Sequence, residues 1–507
     1  MNILFSSFLF SQVRFSSAFE SGSLGEVKLI DSNWISVSSK DSILVLSYDI
    51  SSRFDPLNPV DTSLPPSARW YFFKMEGTKG KMIFLNIHNS EAIRPFYSYD
   101  GVYFQRFEPG ENASKGFINK IFARDTVYIS HFIPYTYSHL TNKIDQWNRC
   151  EFVKYEEIGR SQMNVPIHML TITDSSVPDK NKKRIWIHGR AHPSEQPGSW
   201  HLESMIDELT SCSEYSKTLL KQAVFYIVPF INPDGVIGGY SRSTPTGVNV
   251  EINWDRNDSL TAPEVKALKK KLVELTSEKP IDLFLNMHSQ IANSVTYWIH
   301  TAESTSDRSF RNLLLFSNLT VNDNPYYTSK DQSFSDVAPR YAEGWMWNRF
   351  GDRTIAVTFE TPYTYYSENK DGEWVSIENL AKIGNNSLKA ISDYLDISTP
   401  CRILADPRLV TRNRWEKQTA NNSVFFGDDY YKSTRNRAGI KITVPYLKKG
   451  NYKIYSWSVG AAEKTSPAGT NLWKEIGSLK HKRDGKVIWR TKAYQVGESV
   501  DKILLVK

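Results

Sequence analysis

The sequence predicts an α/β domain with a mixed, mostly parallel sheet and helices on both faces, flanked by an N-terminal β-sandwich and a small C-terminal β domain. Three observations support this prediction. Short β-prone runs separated by Gly, Asn, Asp and Pro come first, near-continuous apolar runs alternating with amphipathic stretches follow, and short strands return after about residue 400.

The N-terminal β-sandwich is predicted over residues 19–145, with β-prone runs at 69–73, 82–87 and 126–129. Before it, residues 1–18 hold a short apolar run that ends in three small residues, as a signal peptide does, but no basic residue precedes that run. We therefore expect a secreted or periplasmic protein if this segment is a signal peptide, and a cytoplasmic protein otherwise.

The α/β domain is predicted over residues 146–398, because buried apolar runs alternate there with stretches of helical periodicity. The candidate strands are 184–188, 223–230, 283–288 and 354–360, and the candidate helices are 200–209, 262–275 and 377–395. Residues 399–507 return to short strands, such as 440–444, 452–456 and 503–506. We expect them to form the C-terminal β domain, with a stabilising cap as its simplest role.

Composition bounds the class of protein. A chain of 507 residues with 40% hydrophobic content can bury a large core. The net charge of +7 is spread along the chain, which argues against nucleic-acid binding, and no apolar run reaches the roughly 18 to 20 residues of a membrane span. Three cysteines, Cys150, Cys212 and Cys401, lie far apart and match neither a disulfide framework nor a metal knuckle. The oligomeric state is not determined by the sequence.

A candidate metal site begins at His192-Pro193-Ser194-Glu195, between a predicted strand and a predicted helix. A His and a carboxylate three residues apart on a tight loop can converge on one zinc ion. Such a pair is common by itself and gains weight from its context. His288 ends another buried strand, and open α/β sheets build their sites at strand ends of this kind.

Glu360 ends a third strand, in an otherwise apolar run where a carboxylate has no evident structural purpose. Two histidines and one glutamate leave a zinc coordination position open for water, and Glu360 is then placed to take its proton as general base. Arg242 follows an Asn-Pro-Asp-Gly turn at 232–235 and is a candidate for stabilising the oxyanion of a tetrahedral intermediate.

These motifs occur in an order that resembles the zinc metallocarboxypeptidases: H-P-S-E, then N-P-D-G-V-I with an arginine seven residues beyond the glycine, then a strand-end H-S, then T-F-E. The spacing of Gly235, Arg242 and Gly247 resembles the cytosolic carboxypeptidase subgroup, which removes glutamates from protein tails. Residues 19–22, 70–73 and 134–138 look like the β-sandwich that precedes the catalytic domain in that subgroup. The resemblance covers roughly residues 19 to 397.

The resemblance implies one zinc ion per chain, held by His192, Glu195 and His288, with Arg242 as oxyanion arginine and Glu360 as general base. It also implies a peptide or protein substrate. The family uses a mobile tyrosine before the catalytic glutamate, and Tyr341 is the nearest candidate. Alternatively, Tyr341 belongs to a packed aromatic cluster with two nearby tryptophans, at 345 and 347.

One departure affects the substrate pocket. Family members usually read G-V-D-L-N-R-N-W-D, whose Asn-Arg pair grips the substrate's terminal carboxylate, whereas residues 247–255 read G-V-N-V-E-I-N-W-D. Glu251 thus replaces the asparagine and Ile252 the arginine, an exchange that repels a carboxylate. Either Arg256 supplies the anchor, or the substrate has no free carboxylate here and presents an amine to Glu251. We favour the second interpretation.

Three hypotheses follow for the activity. The first is zinc-dependent hydrolysis of peptide or amide bonds. The second is a catalytically degenerate protein that binds peptides or glycans, suggested by the altered pair at 251 and 252. The third is a carboxypeptidase that acts on acidic C-terminal tails.

Overall fold

The computed structural model describes residues 13–59, 61–112, 114–328, 331–367, 369, 372–419, 425–426, 429–457 and 472–507. The first twelve residues of the predicted signal segment lie outside this set. Arg14–Ser16, within the same segment, forms a strand that pairs with residues 74–76. The signal peptide stays a prediction.

The N-terminal part contains two sheets that enclose one hydrophobic core. One sheet has the order β1-β4-β9-β6-β7 and the other β2-β3-β5-β8. In β3 every second side chain is buried, as expected for a strand with one face on a core. The strands are β1 (Arg14–Ser16), β2 (Val27–Ser36), β3 (Ser42–Ser51), β4 (Phe72–Glu76), β5 (Met82–His88), β6 (Phe96–Ser98), β7 (Gln105–Arg106), β8 (Phe117–Ile121) and β9 (Thr126–Ser130).

Among its described residues, the middle part has eight α-helices and eight strands. The helices are α1 (Tyr137–Trp147), α2 (Gln196–Thr210), α3 (Glu214–Leu220), α4 (Pro233–Gly238), α5 (Pro263–Leu275), α6 (Asp307–Leu319), α7 (Ala342–Phe350) and α8 (Ile377–Tyr394). The strands are β10 (Val153–Arg160), β11 (Pro166–Ile172), β12 (Lys183–Gly189), β13 (Ala223–Val228), β14 (Leu283–Gln290), β15 (Thr296–His300), β16 (Ser333–Ser335) and β17 (Ile355–Pro362). The four strands and three helices predicted here are confirmed, with ends shifted by a few residues.

These strands form one mixed sheet in the order β10-β11-β13-β12-β14-β17-β15-β16. Its centre is parallel, because β12 pairs in parallel with β13 and β14, and β14 with β17. The pairs β10–β11, β11–β13 and β15–β17 are antiparallel. The mixed, centrally parallel sheet agrees with the predicted α/β class.

Helices cover both faces of this sheet, because side chains of the central strands alternate between two cores. In β12, Ile185 and Ile187 belong to a core that includes residues of α2, α6 and α8, whereas Trp186 belongs to a core with residues of α5 and α7. Strands buried on both faces read as continuous apolar runs, which is why the sequence identified them. Helix α1 crosses the predicted domain boundary at residue 145, and its apolar side chains join the α2 core.

The described residues of the C-terminal part form three small sheets with the orders β18-β27-β23-β24, β19-β22-β25 and β20-β21-β26. Trp457, Trp473 and Leu504 from this part extend the core on the α2 face of the eight-stranded mixed sheet. The strands are β18 (Arg402–Ala405), β19 (Arg408–Leu409), β20 (Trp415–Thr419), β21 (Asp429–Ser433), β22 (Ala438–Leu447), β23 (Gly450–Trp457), β24 (Trp473–His481), β25 (Gly485–Tyr494), β26 (Ser499–Val500) and β27 (Ile503–Val506).

Two further observations concern the cysteines and the length of the helices. The thiols of Cys150 and Cys212 lie 4.0 Å apart although 62 residues separate them in sequence, a proximity that the sequence did not reveal. All three cysteines are free thiols. Within the described residues, no helix is both long and apolar enough to span a membrane.

Candidate active site

A cavity of about 450 Å³ opens at the carboxyl ends of β12, β14 and β17. Parallel strands place their carboxyl ends at one edge, which is where open α/β sheets bind ligands. The cavity brings together seven of the residues predicted from the sequence: His192, Glu195, Arg242, Glu251, His288, Tyr341 and Glu360.

The candidate metal ligands converge inside this cavity. His192 Nδ1 lies 2.8 Å from Glu195 Oε1, and His288 Nδ1 lies 2.8 Å from Glu195 Oε2. One ligand atom from each of the three residues falls within 4.8 Å of the others, and all three side chains are buried. Two imidazole nitrogens and one carboxylate form the donor set of a catalytic zinc site with an open position.

Hydrogen bonds from Arg190 hold the loop that carries these candidate ligands. Arg190 is buried with φ +56° and donates hydrogen bonds to the Pro193 carbonyl, 2.7 Å away, and to Ser199 Oγ, 2.9 Å away. Glu195 occupies the N-cap position of α2, but its carboxylate turns to the histidines and makes no cap hydrogen bond. A lost cap costs roughly 1 kcal/mol, as is typical where a side chain serves a site instead of the helix.

The protonation states suit a metal. Burial, followed by the charge of Arg242, lowers the pKa of His192 to about 3, so this ring is neutral. Burial acts to raise the pKa of Glu195, but the two histidines outweigh it and hold that pKa well below its usual range. Burial likewise acts to lower the pKa of His288, which the carboxylates of Glu251 and Glu195 raise well above its usual value. A cation at this place would displace the proton on His288.

Glu360 lies beside His288, because the two residues are partners in the parallel pairing of β14 and β17. Trp298 Nε1 donates a hydrogen bond of 2.9 Å to Glu360 Oε1, which leaves Oε2 without a protein donor in the described part of the chain. Burial, and then the negative charge of Glu195, raise the pKa of Glu360. A raised pKa makes the carboxylate a better proton acceptor.

Arg242 approaches the site from a loop that the N-terminal part holds in place. Its Nη1 lies 3.5 Å from Glu195 Oε1, and its side chain is 33% exposed, so it faces the cavity. The buried carboxylate of Asp55 accepts hydrogen bonds from the backbone N–H groups of Ser241 and Arg242, both at 2.7 Å, and of Ser243 at 3.1 Å. The N-terminal sheets therefore fix the backbone from which Arg242 projects.

The altered pair at 251 and 252 is buried in a short 3₁₀ turn, Val250–Ile252. Both carboxylate oxygens of Glu251 are occupied: Oε1 accepts from Asn286 Nδ2 at 3.0 Å, and Oε2 lies 3.1 Å from His288 Nε2. Ile252 is 6% exposed and lines a neighbouring cavity of about 440 Å³. Glu251 thus contacts a candidate metal ligand, a partner that the sequence did not suggest.

Tyr341 lines both cavities and precedes α7. Its hydroxyl accepts a hydrogen bond of 3.0 Å from Arg340. Arg256, the predicted alternative anchor, is directed toward Asp61 of the N-terminal part, with 4.0 Å between Nη2 and Oδ2, and is not among the lining residues of either cavity.

Sequence reasoning missed several cavity residues, among them Arg69, Trp298 and Glu343. Arg69 comes from the N-terminal part, just before β4, and lines both cavities. Trp298 and Glu343 come from β15 and α7. For Glu343 the sequence offered one signal, an acid between small or apolar residues near the start of a short helix. For Arg69 it offered none, because no motif links this residue to the strands that carry the candidate ligands.

Comparison with known proteins agrees with this geometry. Residues 143–376 match the family described as zinc carboxypeptidase, Peptidase M14. The chain is similar to cytosolic carboxypeptidase 6 of Mus musculus, with 22% identity over 439 residues that cover 80% of this chain and 77% of that protein. For cytosolic carboxypeptidase 6 of Homo sapiens the identity is 22% over 435 residues, covering 79% and 82%.

Two solved structures share the fold. A metallo-carboxypeptidase from Burkholderia cenocepacia has a TM-score of 0.60 and 19% identity, covering 76% of this chain and 99% of its own. A metallo-carboxypeptidase from Pseudomonas aeruginosa has a TM-score of 0.60 and 20% identity, with the same coverage of 76% and 99%.

The family match over residues 143–376 and the similarity to cytosolic carboxypeptidases support a zinc-dependent peptidase, with the His-Glu-His cluster as its candidate metal site. More specifically, residues 143–376 carry the similarity to the M14 zinc carboxypeptidases. The comparisons thereby favour zinc-dependent hydrolysis over a degenerate binding protein, and they do not favour the specificity for acidic tails.

Proposed function

We propose that this chain hydrolyses peptide bonds with His192, Glu195 and His288 as zinc ligands, Glu360 as general base and Arg242 as oxyanion group. One observation carries this assignment: the ligand atoms of the first three residues lie within 4.8 Å of one another in a cavity that Glu360 and Arg242 also line. When bound, zinc supplies a Lewis acid that polarises the substrate carbonyl and lowers the pKa of water.

The chain's own groups supply the remaining chemistry. Glu360 Oε2 takes a proton from the attacking water, because Trp298 occupies Oε1. The same carboxyl then gives that proton to the leaving amine nitrogen. The Arg242 guanidinium stabilises the negative charge that develops on the carbonyl oxygen of the substrate.

The direct test is metal content together with a Glu360→Gln variant. We expect about one zinc per chain in the purified protein, and we expect the variant to retain zinc while hydrolysis falls by at least about 100-fold, since a general base contributes roughly 10² to 10⁴. Metal analysis and peptide hydrolysis measure the two quantities. A wild-type protein without stoichiometric zinc, or a fully active Glu360→Gln variant, would show the assignment to be wrong.

We also propose that Arg69, rather than Arg256, faces a terminal carboxylate of the substrate. Arg69 lines both cavities and is partly buried, and its Nε lies 3.3 Å from Glu91 Oε2. Arg256 is directed away, toward Asp61. This arrangement provides a carboxypeptidase with a cation in spite of the isoleucine at position 252.

Peptide pairs with free and amidated C-termini test this role of Arg69. We expect wild-type kcat/KM to be higher for the free carboxylate, and Arg69→Met to remove roughly 10-fold or more of that preference, as for a lost charge-assisted hydrogen bond. Arg256→Met is the matched control and keeps the preference. Equal cleavage of both peptides by the wild type would support the other interpretation, a substrate without a free carboxylate at this place.

For the flanking parts, we propose that the N-terminal sheets form a β-sandwich domain that positions Arg69 and Arg242, and that the C-terminal sheets form a separate β domain that caps the catalytic core. The relatives carry the word cytosolic in their names, which supports a cytoplasmic location among the two that the sequence left open.

A further inference from the structure

The part of the cavity lined by Thr358, His300 and Glu343, called here the inner end, adjoins Glu360. Thr358 precedes Glu360 by two residues on β17, and His300 follows Trp298 by two residues on β15. Residues two apart on a strand share a face of the sheet and are separated by about 6.6 Å. A substrate bond held at Glu360 therefore places the adjoining side chain against Thr358 and His300.

The most buried carboxylate at this inner end is Glu343, which is 3% exposed. Its Oε1 accepts two hydrogen bonds, from Thr358 Oγ1 at 2.5 Å and from Asn286 Nδ2 at 3.0 Å. Its Oε2 accepts none from the described residues, and none of their basic side chains forms an ion pair with it. A buried carboxylate without a cation is costly, so this oxygen is suited to a positively charged ligand.

The neighbours of Glu343 add no positive charge. Both ring nitrogens of His300 are buried and lack a hydrogen-bond partner in the described part of the chain. Burial lowers the pKa of His300, which keeps the ring neutral near pH 7. Asp336, an exposed residue that also lines the cavity, adds a second carboxylate, of which Oδ1 accepts from Thr301 at 2.7 Å.

The arginines of the cavity have other acidic partners. Arg242 lies 3.5 Å from Glu195, and Arg69 lies 3.3 Å from Glu91. The cavity thus has two regions: one holds Arg242 and Arg69, near the candidate metal ligands and Glu91, and the other is the inner end with the buried carboxylate of Glu343. The ring of Trp298 lies between the two regions and offers an apolar surface to an aliphatic stem.

We propose that this inner end is a subsite for a cationic side chain, an amine or guanidinium, on the substrate residue next to the bond that is cleaved. Glu343 Oε2 accepts a charge-assisted hydrogen bond from the cation, and Trp298 packs against its stem. The proposal rests on the proposed function for the position of the bond. It differs in charge from the acidic tails considered at the sequence level.

Binding of small ligands tests the subsite without turnover. Calorimetry on the zinc-loaded full chain would compare lysine and arginine with norleucine and glutamate. We expect the two cationic amino acids to bind about 10- to 100-fold more tightly than norleucine, the gain of one charged hydrogen bond, and glutamate to bind most weakly. Glu343→Gln, which keeps the side-chain shape and an acceptor for Thr358 and Asn286, is expected to abolish this preference.

The matched control is Glu303→Gln, which removes an exposed carboxylate outside the cavity lining and is expected to leave the preference unchanged. Wild-type binding of norleucine as tight as that of lysine would overturn the proposal, and so would an undiminished preference in Glu343→Gln. Hydrolysis of peptides that end in lysine, leucine or glutamate is measured in parallel. Hydrolysis without cation preference refutes the subsite alone, whereas cation binding without hydrolysis refutes the proposed function alone.

Discussion

At the residue scale, one exchange changes the role of a side chain. Glu251 stands where the resembling family has a substrate-binding asparagine, and we first interpreted it as a partner for a substrate amine. In the structure its carboxylate is buried between Asn286 and His288. Histidines that bind metals usually donate their other ring N–H to a carboxylate, which fixes the ring orientation. Glu251 therefore has the contacts of a positioning residue for His288.

The role of Glu251 is tested by zinc affinity. We expect Glu251→Gln to weaken zinc binding by roughly 10- to 100-fold, because a neutral amide orients the imidazole less firmly than a carboxylate. Competition with a chelator measures this dissociation constant. Glu264→Gln, a change at another fully buried glutamate, is the matched control and is expected to keep wild-type affinity. If Glu251→Gln kept wild-type zinc affinity but had a raised KM, Glu251 would instead be a substrate-binding residue.

At the element scale, the sequence located the strands and helices that carry the proposed zinc ligands. Strands β12, β14 and β17 are buried on both faces, so continuous apolar runs identified them and their polar ends stood out. The sequence did not identify β15, β16 or α7, which are short and have mixed polarity. These are the elements that supply Trp298, His300 and Glu343.

The difference between the two halves of the site has a physical origin. Metal ligands lie on the chain at strand ends, where local pattern and spacing are informative. The substrate pocket is assembled from side chains that meet only after the sheet has formed, such as Thr358 and Glu343 on β17 and α7. Contacts of that kind depend on sheet order, and sheet order is set by long-range pairing that a single sequence does not encode locally.

At the scale of the whole molecule, the N-terminal part contributes to the proposed active site. Arg69 comes from it, and Asp55 binds the loop of Arg242 through three backbone hydrogen bonds. Gly239 and Gly247 on the same segment have φ of +66° and +84° and lie against N-terminal backbone, where an added Cβ would fall 2.3 Å from Gly22 O and 2.2 Å from Leu57 O. The close approach indicates that the two parts act as one unit at this loop.

The Asp55→Ala variant measures how much the hydrogen bonds between Asp55 and the Arg242 loop contribute to catalysis. The change leaves three N–H groups without their acceptor and lets the Arg242 loop move, so we expect kcat/KM to fall by at least about 10-fold while zinc affinity stays at the wild-type value. The largest fall in kcat/KM that we expect is roughly 10²- to 10³-fold, the loss typical of removing an oxyanion group altogether. Asp61→Ala is the matched control, because Asp61 also faces the catalytic part but meets Arg256 instead.

A double-mutant cycle with Arg242→Ala separates positioning from general destabilisation. If Asp55 acts through Arg242, the loss caused by Asp55→Ala shrinks markedly once Arg242 is absent, since the two changes remove the same interaction. An equal loss in both backgrounds would contradict the positioning role and assign the effect to folding. Thermal unfolding of all four proteins supplies the comparison, because a catalytic effect through Arg242 exceeds what the change in stability alone accounts for.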